Sequence, residues 1–310
     1  MIKSKVQVGL IAAGFIALGL GLTLYKAISL GLPLMPGEYR EVWTVESKTS
    51  FTPTKGPVNV ELRLPATLAG WVILEEHFVS SGFGFSIIED GETSSKARWA
   101  RQELERPTTL YYKMQIHRAS DNNELPPMAF VKPQTPLLEP DQQAAMDRLV
   151  DRLKTQSSNT ETFVLLLLQE FLRDSPDQDT VFLLDSYQED AIMVLMDALA
   201  VADISAHQIR GIVLEDGRRR QQLSSLIEVY TDGRWRVFDP RTARAGLPKN
   251  FFIWQRSDDS ILNVVGGRNS SLEFALVSNS LPAKAVVEME QRSEQFALLD
   301  DLYVHLLVLH

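Results

Sequence analysis

The sequence predicts an α+β protein in three parts: an N-terminal transmembrane helix, a small antiparallel β domain, and a second domain that opens with helices and closes with strands. Three observations carry this. Residues 6–25, "VQVGLIAAGFIALGLGLTLY", run for 20 residues without a charge, and a helix of that length, at ~1.5 Å per residue, spans the ~30 Å hydrocarbon core of a bilayer. "VNVELRL" sets Val58, Val60, Leu62 and Leu64 against Asn59, Glu61 and Arg63, the period of a half-buried strand. After residue 140, apolar residues recur at helical spacing, and the period returns to two at "HQIRGIVLE".

Residues 1–36 form the anchor and a short linker. Lys3 and Lys5 precede the apolar run; by the positive-inside rule the N-terminus is cytoplasmic and the bulk of the chain lies outside, in the periplasm of a Gram-negative cell. This is the topology of a single-pass inner-membrane protein. A cleaved signal peptide is the competing reading, but its apolar core is usually ~7–15 residues and ends at a small-residue site. The following "KAISLGLPLMPGE" offers no such site. Gly9, Ala13, Ala17 and Gly21 recur every four residues. Such a stripe lets membrane helices approach closely, or reflects only how common Gly and Ala are in such helices.

Residues 37–118 read as the β domain, with "EVWTVES", "WVILEEHFV" and "TLYYKMQIH" as further strands between turn-rich stretches such as "TPTKGP" and "SSGFGF". Residues 119–140 carry five prolines after a polar run and read as a linker. The second domain spans 141–280. Asp141 and Thr160 are candidate N-caps for "QQAAMDRLVDRLKTQ" and "ETFVLLLLQEFLRD". "QEDAIMVLMDALAVA" is apolar nearly all round, the mark of a buried central helix. Strands follow in "HQIRGIVLE", "SLIEVY", "RWRVFDP" and "SLEFALVSN", and 281–310 is a C-terminal extension.

Composition removes several function classes. A net charge of −9 and pI near 5.2 argue against nucleic-acid binding. With no cysteine, the chain has no disulfide, zinc–thiolate site or thiol nucleophile. No cofactor or metal is expected. Asp174, Asp177 and Asp179 are close in sequence but lack a calcium-loop pattern, and His305 and His310 stand near a terminus as surface residues.

A buried helix, a strand with a glycine, and then "EVY..G.W...DP" within "SSLIEVYTDGRWRVFDP" (224–240) is the order of parts in transglutaminase-like domains. The chain more closely resembles a bacterial family of inactive transglutaminases, often fused to seven transmembrane helices. The similar stretches are "EVWTVESKTSFTPTKGPVNVELRLP", "GIVLEDGRRRQ", "LIEVYTDGRWRVFDPRT" and "AGLPKNFFIWQR". The resemblance departs after these, where "LYVHLLVLH" stands instead of seven helices; a shortened relative and a piece of a longer protein are both open. It implies a papain-like α+β fold for 141–280. It also implies that Gln188 stands where active relatives carry the catalytic cysteine, Ser224 where they carry the histidine, and Asp239 where they carry the orienting acid. Glutamine is no nucleophile and serine no base near neutral pH, so Asp239 is expected to cap its turn or pair with a nearby arginine.

Other chemistry is conceivable from the residue types. Ser224 or Ser225 with His207 and Asp239 would make a substitute serine-hydrolase triad, without the G-x-S-x-G elbow. Glu189 or Asp190 with Asp239 would make an acid pair, although both acids equally suit a helix N-terminus. Residues 210–244 hold eight arginines against five acids, +3 in an acidic chain. Among them Arg218, Arg219, Arg220, Arg234 and Arg236 are candidate ligands for a carboxylate, or a solvated face. The expectation is a non-enzyme: a membrane-anchored module that binds a peptide or protein partner in the envelope. The alternatives are the substitute-triad hydrolase and a purely structural scaffold. Family analogy suggests ATP-grasp ligases or retropepsin-like proteases as partners.

Overall fold

The computed structural model describes residues 39–65, 69–79, 82–89, 94–120, 124–257 and 259–293, with isolated helical positions between 14 and 25. The transmembrane expectation for 6–25 falls largely outside these residues, and Gly9, Ala13 and Ala17 of the small-residue stripe, with His305 and His310, lie outside them. Among the described residues no helix is long and apolar enough to cross a membrane.

Residues 42–279 form one compact unit of mostly antiparallel β-sheet with four helices. Its β domain is a sandwich of two four-stranded sheets. One has the order β13 (Gly267–Pro282), β1 (Tyr39–Pro53), β6 (Thr108–Arg118), β3 (Trp71–Val79). The other runs β12 (Leu262–Val265), β2 (Val58–Arg63), β5 (Ser95–Arg101), β4 (Gly84–Glu89). The alternation in "VNVELR" turns Val58, Val60 and Leu62 inward against Trp99 of β5 and Tyr112, Met114 and Ile116 of β6. Within residues 37–118 sequence reading missed two strands. Most of β4 is exposed at a sheet edge, and β5 ("SKARWAR") hides two inward residues, Ala97 and Trp99, among cations. One of those cations, Arg98, pairs across the sheet with Glu61 at 2.6 Å.

The expected boundary at 141–280 is corrected at its far end. β12 and β13 leave the second domain and complete the β sandwich, β12 in antiparallel register with β2 and β13 beside β1. Both sheets would otherwise have an open edge there, and burying a strand edge is a general need of sheet proteins.

The second domain contributes α1 (Pro140–Gln156), α2 (Thr160–Phe171), α3 (Gln178–Ser186) and α4 (Ala191–Val201). The caps differ from those expected. α1 starts at Pro140, with Gln142 Oε1 accepting from the Glu139 N–H at 3.1 Å. Asn159, not Thr160, caps α2 by accepting from the Thr162 N–H at 2.8 Å. The "DSPDQDT" segment has a structural job: Asp177 caps α3, Asp179 pairs with Arg148 at 2.5 Å, and no group of acids or histidines among the described residues could hold a metal.

A five-stranded sheet follows in the order β10 (Arg244–Ala245), β9 (Arg234–Asp239), β8 (Ser224–Thr231), β7 (Ala206–Val213), β11 (Phe251–Gln255). Ile227, Val229 and Phe238 face the helices, packing on Val194, Leu195 and Ala198 of α4. Leu226 and Val237 face the other way, with Ile209, Phe251 and Ile253. β11 is buried at every position because Phe251 and Ile253 join this second cluster while Phe252 and Trp254 join the core of the β sandwich. The expected linker is largely a strap: residues 124–133 cross the second face of the sheet without secondary structure and are fastened to it.

Candidate functional site

α4 begins with Asp190 as its N-cap, accepting from the Met193 N–H at 3.1 Å. The two residues before it, Gln188 and Glu189, both hold left-handed backbone, with φ of 53° and 66°. That conformation costs a non-glycine residue roughly 1–2 kcal/mol. Gln188 is exposed in this turn, at the helix N-terminus where the resemblance implies the lost cysteine.

Ser224 is the first residue of β8, in register with Gly211 of β7. A β-carbon on Gly211 would lie 2.4 Å from the Phe251 ring and 2.3 Å from the Phe252 carbonyl oxygen, so only glycine lets β11 approach this closely. The surrounding face is closed by Phe251, Leu226, Val213 and Ile209, all buried.

Asp239 ends β9 and is buried. Its Oδ1 accepts from the Arg241 backbone N–H at 3.0 Å and from Arg241 Nε at 2.9 Å, while Oδ2 accepts from Nη2 at 2.9 Å. The acid both caps its turn and is held by an arginine two residues away. It has no histidine to orient.

The substitute triad is not assembled. His207 sits opposite Glu228, whereas Ser224 sits opposite Gly211. That is a separation of four positions along the ladder, ~13 Å at ~3.3 Å per residue. His207 Nε2 is 2.7 Å from Glu228 Oε2, and Ser225 Oγ accepts from Gln208 Nε2 at 2.6 Å. The acid pair fails similarly, since Asp190 caps α4 and both oxygens of Asp239 are taken by Arg241.

The five candidate arginines do not form one patch. Arg218, Arg219 and Arg220 precede the start of β8, and Arg234 follows its end; the eight residues of β8 put ~23 Å between these places. Arg218 pairs with Glu215 at 2.5 Å. Arg236 reaches to the helix side and is bonded to Glu161 of α2. Arg234 is exposed and has no acidic partner among the described residues.

The feature that sequence reading missed lies at the Arg234 end. A groove of about 820 Å³ runs between the strap and the sheet, walled by Leu125, Phe130, Tyr230, Trp235, Leu247 and Arg256. Arg256 forks onto buried Glu228, Nε to Oε2 at 2.8 Å and Nη2 to Oε1 at 2.9 Å, and donates Nη1 to the Pro126 carbonyl at 2.6 Å. Burial pushes the Glu228 carboxyl up, but the hydrogen bonds from His207 and Arg256 and the Arg256 charge outweigh it, and the group is held below the usual glutamate range. Trp235 Nε1 donates to the Met128 carbonyl at 2.9 Å, Ser205 Oγ donates to the Val131 carbonyl, and the Phe130 and Tyr230 rings meet at 4.9 Å. The alternation of "EVYTDGRWR" could have shown that Glu228, Tyr230 and Trp235 share a face. Nothing local shows that Arg256 and the strap come to meet them.

These arrangements define a transglutaminase-like α+β scaffold. In line with that, a Cytophaga hutchinsonii crystal structure, described provisionally as that of a cysteine protease, is similar in fold. Its TM-score is 0.52 at 14% sequence identity, over 79% of this chain and 91% of that one. The chain belongs to the family described as inactive transglutaminase fused to 7 transmembrane helices, whose model matches residues 25–187. The match takes in β1 to β6, the strap and α1 to α3 and stops before Gln188, so Gln188, Ser224 and Asp239 lie beyond it. No curated protein sequence matches the chain.

Proposed function

We propose that the protein is a non-catalytic, membrane-anchored transglutaminase-like module, held by residues 6–25 with its folded part in the periplasm, that binds a peptide or protein partner. The observation that carries the non-catalytic reading is the state of Asp239: both its oxygens are bound by Arg241, in a chain with no cysteine. The groove beside β9 supports the binding reading, since ligand sites are typically concave, largely apolar and bear a few placed polar groups. The separation of the arginines leaves Arg234 as the one candidate of the five that is both exposed and at the groove.

The test is made on the full chain in detergent. A fluorophosphonate probe should leave Ser224 and Ser225 unlabelled, no acyl transfer should be detected, and pooled synthetic peptides should bind. Labelling of either serine would replace this reading with the hydrolase; absence of any peptide binding would remove the binding half of it. The anchor is tested separately, by retention of the protein in membranes after alkaline carbonate washing.

A further inference from the structure

β9 outruns the strand beside it. β10 is only two residues long, with Arg244 opposite Asp239 and Ala245 opposite Phe238; the pairing ends where the Gly246 N–H donates to the Val237 carbonyl at 2.8 Å. That bond shows that the backbone groups of Val237 point away from β8, and because these directions alternate along a strand, those of Trp235 do too. A second bond agrees. The Tyr230 N–H donates to the Ser205 carbonyl at 2.8 Å, away from β9, and Tyr230 is the register partner of Trp235. The N–H and C=O of Trp235 therefore face outward, and no described residue bonds to either.

This free edge opens into the groove. The opposite wall already holds an extended backbone: the strap, gripped through its carbonyls by Trp235 Nε1 and Arg256 Nη1. Between strap and β9 there is room for a second extended segment. Exposed Arg234, unpaired among the described residues, stands next to the free N–H and C=O, whereas the charge of Arg256 is answered by Glu228.

The geometry points to strand addition: an extended peptide carrying a carboxylate enters from this groove, pairs its backbone with Trp235 as a continuation of β10, and turns a side-chain carboxylate to the Arg236 face of the sheet, where alternation along β9 puts Arg234. Recognition of this kind draws affinity from main-chain hydrogen bonds and selectivity from the flanking side chains. The inference rests on the peptide-binding reading above and says where and how such a peptide binds. It also moves the binding position away from the Ser224 and Asp239 end of the sheet.

The experiment uses full-length protein labelled with ¹⁵N-tryptophan, whose five tryptophans give few resonances, with the Trp235 signals assigned by Trp235→Phe. The probes are three pools of N-acetylated, C-amidated hexapeptides: one with Asp or Glu at each position in turn, one with Asn or Gln there, and one acidic but N-methylated along the backbone. The acidic pool should shift the Trp235 amide and slow its hydrogen exchange at least about tenfold. The neutral pool should bind about tenfold more weakly, as loss of one charge-assisted contact implies. The N-methylated pool should not protect the amide. Arg234→Ala should erase the preference for acid while leaving the neutral pool unaffected. Binding of any pool with the Trp235 amide unmoved overturns strand addition and leaves peptide binding standing. No binding by any pool overturns both.

Discussion

At Asp239, where the resemblance implies the orienting acid, the carboxylate is used structurally. A carboxylate that would orient an imidazole needs one oxygen free for it, and here Arg241 occupies both. Charge-assisted hydrogen bonds contribute about 1.5–3 kcal/mol each, so Asp239→Asn should lower unfolding free energy by about that amount without altering any acyl-transfer assay. Glu228 carries more. Removing one partner of a buried ion pair costs about 3–5 kcal/mol, which is the expected effect of Glu228→Gln at neutral pH by denaturant titration. Because the folded carboxyl is held below its unfolded value of ~4.3, its stabilisation is fully present above that value and fades as pH falls through the folded one. The gap between wild type and Glu228→Gln should therefore shrink below about pH 4; a gap that stays constant would show that the pair is not the source. Gln188 had a readable chemical identity but an unreadable backbone. Its left-handed φ follows from the turn between α3 and α4, and replacement by glycine should raise stability by up to about 1 kcal/mol.

Among the elements, the strap is where sequence reading and structure part most. Five prolines and a polar run describe a linker by composition, and the extended backbone fits that description. What composition cannot carry is the set of distant donors that close on its carbonyls: Trp235, Arg256 and Ser205 are 107, 130 and 74 residues away from their acceptors. Limited proteolysis reads this directly. Chymotrypsin should cut slowly after Phe130 in wild type. Trp235→Phe, which keeps an aromatic ring but loses one neutral hydrogen bond worth about 0.5–1.5 kcal/mol, should cut several-fold faster. Equal rates would mean the strap is held by something else. α1, α2 and α4 were legible by period, but α4, expected to be buried on every side, buries one face through Val194, Leu195, Ala198 and Leu199 and leaves Met193 exposed. α3 was not legible: its polar start hid nine helical residues of which only Thr180 and Leu183 are buried.

At the scale of the molecule, two domains readable from the sequence share one interior. Ile212, Leu214, Phe252 and Trp254 of the transglutaminase-like sheet sit in the same cluster as Trp43, Val60, Trp99 and Met114 of the sandwich, and Trp254 Nε1 donates to the Arg63 carbonyl at 2.8 Å. Residues 42–279 should therefore melt in one calorimetric transition; two resolved transitions would restore the independent-domain picture. A chain stopped after Ser260 should lose the sandwich as well, since β12 and β13 would no longer cover β2 and β1, with near-UV circular dichroism reporting the loss of ordered aromatic packing. The return of the chain after residue 260 was beyond the sequence, because strand partners 200 residues apart leave no local mark.

That return also fixes how the fold bears load. Gly267, at the start of β13, lies against Phe51 near the end of β1, so the two strands run in opposite senses, and the beginning of one is beside the end of the other. A pull that draws these neighbouring ends apart meets the ladder from its tip. It breaks one rung after another rather than shearing all at once, because antiparallel hydrogen bonds lie across the strands. The module would open like a zip under a small tension applied through its two flanks.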